Sequence, residues 1–277
     1  MNNIMKTHAP LHPDHHDDFG GLHRDLLATG AAMSRRQLFR IAATLGIGAT
    51  ALPLLGCGSS PTDPTVDSGG CQTRIPQETA GPFPGDGSNG PDVLSQTGVV
   101  RGDIRSSFAG LSGIADGVPL TIELTLVSAS TCGVLAGRAI YLWQCDRQGR
   151  YSLYSQGVTN QNYLRGVQEA DGSGRVSFTS IFPACYQGRW PHIHFEVYPT
   201  LASATNVANK VATSQIALPK AICDQVYATA GYEQSIRNLS QVSLASDMVF
   251  SDGANLELAT MTGSVGGGLR AALTVGI

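Results

Sequence analysis

Apolar and polar residues alternate along several short stretches of the chain, which is the pattern of strands with one buried face. From Leu120 to Leu126 every second residue is leucine or isoleucine, and the residues between them are threonine or glutamate. Residues 175–181 and 192–198 alternate in the same way, and residues 137–145 contain a short apolar run that favours a buried strand. Short strands at this spacing predict an all-β domain, either an antiparallel β-sandwich or a barrel.

The remaining sequence predicts little further regular structure. A short helix is expected over residues 220–230, and strands over residues 243–250 and 256–260. The composition agrees with a turn-rich domain, because the chain contains 33 glycines and only 14% charged residues, against about 25% in typical soluble domains. The net charge is −3 and no basic stripe is present, so the electrostatic footprint of a nucleic-acid-binding protein is missing.

The predicted strand over residues 192–198 carries the only two histidines that follow residue 30. Its alternation places Ile193 and the apolar residues in register with it on one face, and His192 and His194 on the other. Two imidazoles at this spacing can chelate one cation, and imidazole suits zinc, copper, iron and nickel alike. Two hydrogen-bonded strand histidines are an equally good interpretation of the pair taken alone.

The N-terminal part of the sequence has the pattern of an export signal. Paired arginines in residues 34–39 precede a charge-free apolar segment, residues 41–56, which is too short to span a membrane comfortably. A positive start followed by an apolar core predicts a secretory signal, and the arginine pair resembles the twin-arginine type. Residues 54–57 resemble a lipobox, which implies a lipid anchor at Cys57; a signal peptide cleaved nearby without lipidation is the alternative.

We therefore expect a leader over residues 1–57, a flexible linker over residues 58–70 and a folded domain over residues 71–277. The protein is expected to be exported to the periplasm or the cell exterior, either free or anchored to the membrane as a lipoprotein. The five remaining histidines precede the signal, where they would be removed with it, or would not be translated if Met33 is the start.

Cysteine usage agrees with an oxidising compartment. Five cysteines follow the lipobox, enough for two disulfides and one thiol, and their pairing stays open at the level of sequence. They are Cys71, Cys132, Cys145, Cys185 and Cys223. A bridge from Cys185 to Cys223 is one of the pairings that stay open. No two of the five have C-x-x-C spacing, which argues against a cysteine-rich zinc site.

Three motifs follow one another in the middle of the chain. They are W-x-x-D-x-x-G-x-Y at residues 143–151, L-R-G-x-Q at residues 164–168, and P-x-x-Y-x-x-R-x-x-H-I-H-F at residues 183–195. Together they resemble the intradiol ring-cleavage dioxygenases, the family that opens catechols between their two hydroxyls. Weaker similarity extends over residues 77–252, and the leader and extra cysteines are similar to the exported, single-domain branch of that family.

The resemblance implies an antiparallel β-sandwich that holds a mononuclear non-heme Fe(III) ion. Matched residue by residue, the metal ligands are Tyr151, Tyr186, His192 and His194. Phenolate is a hard, charged donor that suits ferric iron, and a nearby cation is what keeps a tyrosine ionised at neutral pH. Tyr154 and Tyr163 are competing phenols, but Tyr151 stands at the G-x-Y position of the motif.

The resemblance also implies catalytic roles for Tyr186, Arg189 and Gln215. The family's equivalent of Tyr186 leaves the metal as substrate binds and takes one of its protons. Arg189 matches an arginine that stabilises negative charge developing on the substrate, and Gln215 matches a glutamine that assists it. Taken alone, Arg189 is equally consistent with a surface ion pair to Glu196 or Asp171.

The implied function is cleavage of a catechol-type ring with O2 to give a cis,cis-muconate. The implied partners are the small catechol and O2, without nucleic acid, and the oligomeric state stays open. Two further motif residues are expected to be structural: Trp143 in the core, and Arg165 in a turn near the pocket mouth. The alternative from another class is a non-catalytic exported β-sandwich module that binds metal or polyphenol.

Overall fold

Eight β-strands and two short α-helices make up most of the regular structure in residues 71–277, the part of the chain that the computed structural model describes. The strands are β1 (Pro119–Val127), β2 (Ala139–Trp143), β3 (Arg165–Glu169), β4 (Arg175–Ile181), β5 (His192–Tyr198), β6 (Ala212–Ala217), β7 (Thr260–Ser264) and β8 (Gly268–Gly276). The helices are α1 (Lys220–Tyr227) and α2 (Glu233–Leu239). Single turns of 3₁₀-helix occur at Leu201–Ser203, Val207–Asn209 and Phe250–Asp252.

The strands form two four-stranded sheets that pack face to face. Their strand orders are β4-β1-β8-β7 and β3-β2-β5-β6. Neighbouring strands are antiparallel, except that β1 and β8 run parallel. The predicted all-β sandwich with few short helices is therefore confirmed, and α1 confirms the helix expected over residues 220–230.

The core between the sheets follows the alternation read from the sequence. The four apolar residues of β1 from Leu120 to Leu126 are at most 1% exposed. In β5, Ile193, Phe195 and Val197 belong to the same core cluster. Strand β5 is nevertheless buried along its whole length. On the other face of this sheet lies a covering segment, residues 77–85, which is bonded to the neighbouring strands: Gln215 Nε2 donates to the carbonyl of Thr79, and Tyr141 Oη donates to that of Pro84. That second face carries the two histidines.

The register of the second sheet aligns several motif residues across neighbouring strands. Trp143 lies opposite His194 on one side, and Gln215 lies opposite His194 on the other. Arg165 lies opposite Trp143. Directly opposed residues in a sheet share a face and lie close enough to interact, so these four side chains form one row on the covered face.

The prediction of a strand over residues 243–250 is wrong. These residues form turns, because Asp247 Oδ1 accepts hydrogen bonds from the backbone N–H groups of Val249 and Phe250 at 2.8 and 3.2 Å. Such local side-chain bonds compete with strand pairing. The strand expected over residues 256–260 is also misplaced, since the last two strands are β7 and β8, and β7 begins at Thr260.

Two cysteines form a disulfide, Cys71–Cys132. Cys185 and Cys223 do not form a bridge, because both are buried free thiols, as is Cys145. Their sulfur atoms are directed to different backbone carbonyls. Cys185 Sγ lies 3.4 Å from the carbonyl oxygen of residue 189, and Cys223 Sγ lies 3.8 Å from that of residue 218.

Removal of the disulfide should lower the free energy of unfolding. The bridge joins cysteines 61 residues apart, and loop-closure entropy for that length corresponds to about 4 kcal/mol. We expect a Cys71→Ser, Cys132→Ser variant to unfold at lower urea concentration than the wild type, as followed by tryptophan fluorescence. The control is Cys223→Ala, which removes an unpaired buried thiol. An equal loss of stability in both variants would contradict the prediction.

The expected leader and linker, residues 1–57 and 58–70, lie outside the described residues. Neither of the α-helices in residues 71–277 has the length and hydrophobicity of a membrane span.

Candidate metal centre

Four side-chain atoms from two loops and one strand converge on the covered face of the second sheet. His192 Nε2 lies 3.1 Å from His194 Nε2 and 3.1 Å from Tyr186 Oη. Tyr151 Oη lies 3.4 Å from His192 Nε2 and 3.2 Å from His194 Nε2. The structure thus brings together all four residues that the sequence resemblance assigns as ligands.

These distances fit a shared metal ion. Donor atoms that bind one ion at about 2.0–2.1 Å lie about 2.8–3.4 Å from each other when the angle between them at the ion is between 90° and the tetrahedral value. The four measured distances fall within that interval. The described residues contain no group of three or more His, Cys, Asp or Glu side chains that could hold a metal. Any metal at this point would therefore depend on the two phenols.

Burial controls the charge of these donors. Tyr151, His192 and His194 are at most 3% exposed. Burial raises the pKa of Tyr151 well above its ordinary value, with the Tyr186 phenol adding to the rise. Burial also lowers the pKa of both histidines well below their ordinary value. The protein alone therefore keeps the imidazoles neutral, as ligation requires, whereas Tyr151 would ionise only beside a strong positive charge.

Each histidine is oriented by a neighbour. His192 Nδ1 donates a hydrogen bond to the backbone carbonyl of Trp190, which directs Nε2 towards the other donors. A bond of this kind to the second ring nitrogen is typical of metal-binding histidines. The His194 ring stacks on Trp143, with centroids 4.8 Å apart and planes within 7°. Trp143 is 0% exposed, which confirms its expected place in the core.

Asp146 organises the loop that presents Tyr151. Its carboxylate accepts hydrogen bonds from the backbone N–H groups of Gln148 and Arg150 at 2.9 and 3.0 Å, and from Arg150 Nε at 2.9 Å. It also accepts a bond from Tyr163 Oη at 3.0 Å. This carboxylate is the aspartate of the W-x-x-D-x-x-G-x-Y motif, so its spacing from Tyr151 reflects the folding of the loop.

The two competing phenols have other partners. Tyr163 is bonded to Asp146. Tyr154 Oη accepts a bond from the Gly85 N–H and donates one to Asn89 Oδ1, both at 2.8 Å. Tyr151 is thus the tyrosine of this segment whose oxygen lies at the two histidines.

Gly149 allows the Tyr151 loop to lie against Tyr186. Its φ angle is +82°, and a Cβ atom added there would lie 3.1 Å from Tyr186 Cβ. Gly137 has a similar φ of +74°, but a Cβ atom there would meet nothing within 4 Å. Comparing substitutions at the two glycines therefore distinguishes the cost of backbone strain, which both would share, from the cost of crowding against Tyr186, which arises only at Gly149.

We expect Gly149→Ala to destabilise the protein more than Gly137→Ala. Left-handed backbone should cost about 1–2 kcal/mol in both variants, and crowding against Tyr186 should add about 1 kcal/mol in Gly149→Ala alone. Denaturant unfolding of both variants provides the measurement. Equal losses would show that Gly149 is required only for its backbone conformation.

The turn expected at Arg165 is wrong, because Arg165 is the first residue of strand β3 and pairs with Trp143. Its side chain is fully buried and donates to the backbone carbonyls of Phe83, Pro84 and Ser152 at 2.6–3.0 Å. The ring of Phe83 in turn packs on Tyr151, with centroids 4.9 Å apart. Arg165 thereby fixes the covering segment against the residue that follows Tyr151.

Arg189 lies beside the four donors and is only 1% exposed. Its Nη1 lies 3.5 Å from Tyr186 Oη, and its Nη2 donates to Gln215 Oε1 at 2.7 Å. Gln215 Nε2 donates to the carbonyl of Thr79 at 2.8 Å, so this glutamine also holds the covering segment. The three residues with implied catalytic roles therefore form one hydrogen-bonded chain.

The ion pair of Arg189 is with Asp247, whose Oδ2 lies 3.0 Å from Arg189 Nε. The partners suggested by sequence are engaged elsewhere: Glu196 pairs with Lys210 at 2.7 Å, and Asp171 accepts bonds within its own turn. Sequence reasoning missed Asp247. The one available signal was a lone carboxylate inside the apolar stretch interpreted as a strand, where an unpaired charge is unfavourable.

Comparison with known proteins bears on the family and the fold. Residues 90–200 match the family model described as Dioxygenase. The intradiol ring-cleavage dioxygenase from Tetranychus urticae is similar in structure, with 22% identity, a TM-score of 0.58, and coverage of 75% of this chain and 95% of that one. The dioxygenase domain of a dioxygenase carbohydrate-binding protein fusion from Streptomyces sp. SirexAA-E has 20% identity, a TM-score of 0.46, and coverage of 74% and 97%. No curated protein sequence matches the chain. The resemblance expected from the motifs is thus confirmed.

Proposed function

We propose that this protein is an intradiol dioxygenase that uses one non-heme Fe(III) ion and O2 to open a catechol-type ring between its hydroxyls, giving a cis,cis-muconate. The observation that carries the proposal is the convergence of Tyr151, Tyr186, His192 and His194, with each donor atom within 3.4 Å of another. The family match and the fold support the general class, a ring-cleaving dioxygenase. The ion is inferred from the donor set, and the substrate class and the product are inferred from the resemblance to the intradiol family.

The donor set suits ferric iron better than the divalent ions that a histidine pair also attracts. Two phenolates are hard, charged oxygen donors, and together they would offset two of the three positive charges. His192 and His194 would bind as neutral imidazoles, the form that burial already favours. When bound, Fe(III) would act as a Lewis acid that lowers the pKa of the catechol hydroxyls and makes the ring reactive towards O2.

Tyr186 is the ligand best placed to exchange with substrate. It is half-buried, whereas the other three ligands are at most 3% exposed. Substrate would therefore approach from its side of the site. Tyr186 Oη is the atom that would receive a proton from an incoming catechol hydroxyl, and Arg189 Nη1 lies within reach of that oxygen.

Arg189 supplies a fixed positive charge next to the same position. Because its guanidinium is buried and already held by other side chains, little reorganisation is needed when negative charge develops on the ring. Preorganised charge of this kind is an effective way to lower a reaction barrier. Gln215 acts on the reaction through Arg189, since its amide oxygen accepts from the guanidinium.

We propose in addition that the protein is exported, with an anchor at Cys57 if the lipobox is processed. The disulfide Cys71–Cys132 supports an oxidising compartment, where such bonds persist. Fractionation of cells that produce the full chain distinguishes a lipid-anchored protein from one that is cleaved without lipidation. Recovery with the membranes supports lipidation, and recovery as free periplasmic or secreted protein supports cleavage near residue 57.

Oxygen consumption tests the proposed activity. Iron-loaded protein should take up one O2 per catechol and release a product with the ultraviolet absorption and mass of a cis,cis-muconate. Protein that binds iron and catechol but consumes no O2 with any catechol would favour the alternative, a binding module. A product cleaved outside the two hydroxyls would contradict the intradiol assignment.

A further inference from the structure

Asp247 is a buried carboxylate that connects a turn to the candidate metal centre on the covered face of the second sheet. It is 0% exposed and lies in a turn that follows α2. Its Oδ2 accepts from Arg189 Nε at 3.0 Å and from the Trp190 N–H at 2.6 Å. Its Oδ1 accepts from the N–H groups of Val249 and Phe250. One carboxylate therefore receives four hydrogen bonds and joins this turn to the segment that leads into β5.

Asp247 and Gln215 hold two separate nitrogens of the Arg189 guanidinium. Asp247 binds Nε, and Gln215 Oε1 binds Nη2 at 2.7 Å. The guanidinium is planar, so two fixed nitrogens determine the direction of the third. That third nitrogen, Nη1, lies 3.5 Å from Tyr186 Oη. The direction in which Arg189 presents its charge to the site is thus set by its two partners.

Asp247 also supplies the negative charge that the buried Arg189 guanidinium needs. A buried guanidinium without a counter-charge is strongly unfavourable, and the site would also hold a cation. The other fully buried carboxylate on this face, Glu196, is bonded to Lys210 and to Tyr198, both at 2.7 Å. Asp247, in contrast, forms its ion pair with Arg189.

We propose that Asp247 is a positioning residue, which aims Arg189 at the phenol of Tyr186 and at the substrate that would replace it. The inference rests on the proposed function, because Arg189 acts on a substrate held at that position. Asp247 should therefore control the rate of the chemical step and leave metal binding unchanged.

Asp247→Asn tests the proposal with minimal change of shape. The amide can still accept from the turn, but it loses the charge and one acceptor. We expect kcat for catechol to fall by about 10–100-fold, the scale of loss for a misplaced catalytic group. KM and the visible spectrum of the iron-loaded protein should change little. The matched control is Glu196→Gln, which neutralises an equally buried carboxylate outside the Arg189 chain and should keep wild-type kcat.

A double variant separates positioning from general stability. If Asp247 acts through Arg189, then Asp247→Asn should lower kcat no further once Arg189→Gln is present. Losses that multiply in the double variant, or wild-type kcat in Asp247→Asn, would overturn the proposal. If Asp247→Asn does not fold, Asp247→Glu retains the charge. It should then show reduced kcat with normal iron content, and wild-type kcat would overturn the proposal.

A crystal structure of the Asp247→Asn variant gives a result independent of activity. Displacement of Arg189 Nη1 from Tyr186 by about 1 Å or more, a shift large enough to impair catalysis, would support positioning. An unmoved guanidinium would overturn it. If the wild-type protein consumes no O2, the proposed function fails, and this structure still decides whether Asp247 sets the direction of Arg189.

Discussion

Iron-loaded Tyr151→Phe protein should be colourless, or nearly so, and should retain far less than one equivalent of iron. Tyr151 Oη is one of two phenolic oxygens at the site and lies 3.4 and 3.2 Å from the two histidine Nε2 atoms. Its loss removes a negative charge that would offset the charge of the ion, in a pocket too buried for water to replace it easily. The measurements are the visible spectrum and the iron content per chain after reconstitution.

Tyr154→Phe is the matched control for this variant. Tyr154 lies three residues further along and is also a tyrosine in contact with Phe83. Its hydroxyl, however, is bonded to Gly85 and Asn89 rather than to the histidines. We expect Tyr154→Phe to keep the colour and the iron of the wild type. Loss of colour in Tyr154→Phe, with retention in Tyr151→Phe, would reassign the ligand.

Replacing Arg189 with glutamine should lower kcat by about 10²–10³-fold, as expected for the loss of one preorganised group that stabilises developing charge. The visible colour should remain, because Arg189 donates hydrogen bonds and is not a ligand. Comparing the visible spectrum with the rate of O2 consumption in the same sample measures both effects. This separation of colour from turnover distinguishes a residue that acts on the substrate from one that holds the metal.

Arg175→Gln serves as the control for charge alone. Arg175 lies on the sheet that does not carry the candidate metal centre. Its side chain is exposed and lies 3.9 Å from the carboxylate of Glu123 on the neighbouring strand. Its replacement should leave both colour and kcat unchanged. If Arg189→Gln instead loses its colour together with its activity, the arginine is required for the architecture of the site, and its assignment to the substrate would be wrong.

The strands of the core could be predicted because their alternation reports burial directly. Leu120 to Leu126 and the apolar residues of β5 face the core as the sequence indicated. The failure over residues 243–250 has a physical cause. Asp247 pairs with Arg189, 58 residues earlier in the chain, and local periodicity carries no information about such a contact.

The four donor residues that converge could be singled out from the resemblance of the motifs to a known family, but the residues that hold them in place could not. His192 and His194 lie two residues apart in sequence, and the motifs contain Tyr151 and Tyr186. The role of Arg165 depends on carbonyl groups of Phe83 and Pro84, more than 80 residues away. A guanidinium that is buried by backbone acceptors gives no signal in the sequence, because every residue has a carbonyl group.

The visible spectrum of the wild-type protein after anaerobic loading with iron and reoxidation tests the ferric site most directly. Two phenolates bound to Fe(III) should give a wine-red protein with a broad charge-transfer band, and that band should shift when catechol is added. Protein that stays colourless although it carries the full seven-residue strand β5 and both tyrosines would contradict the account.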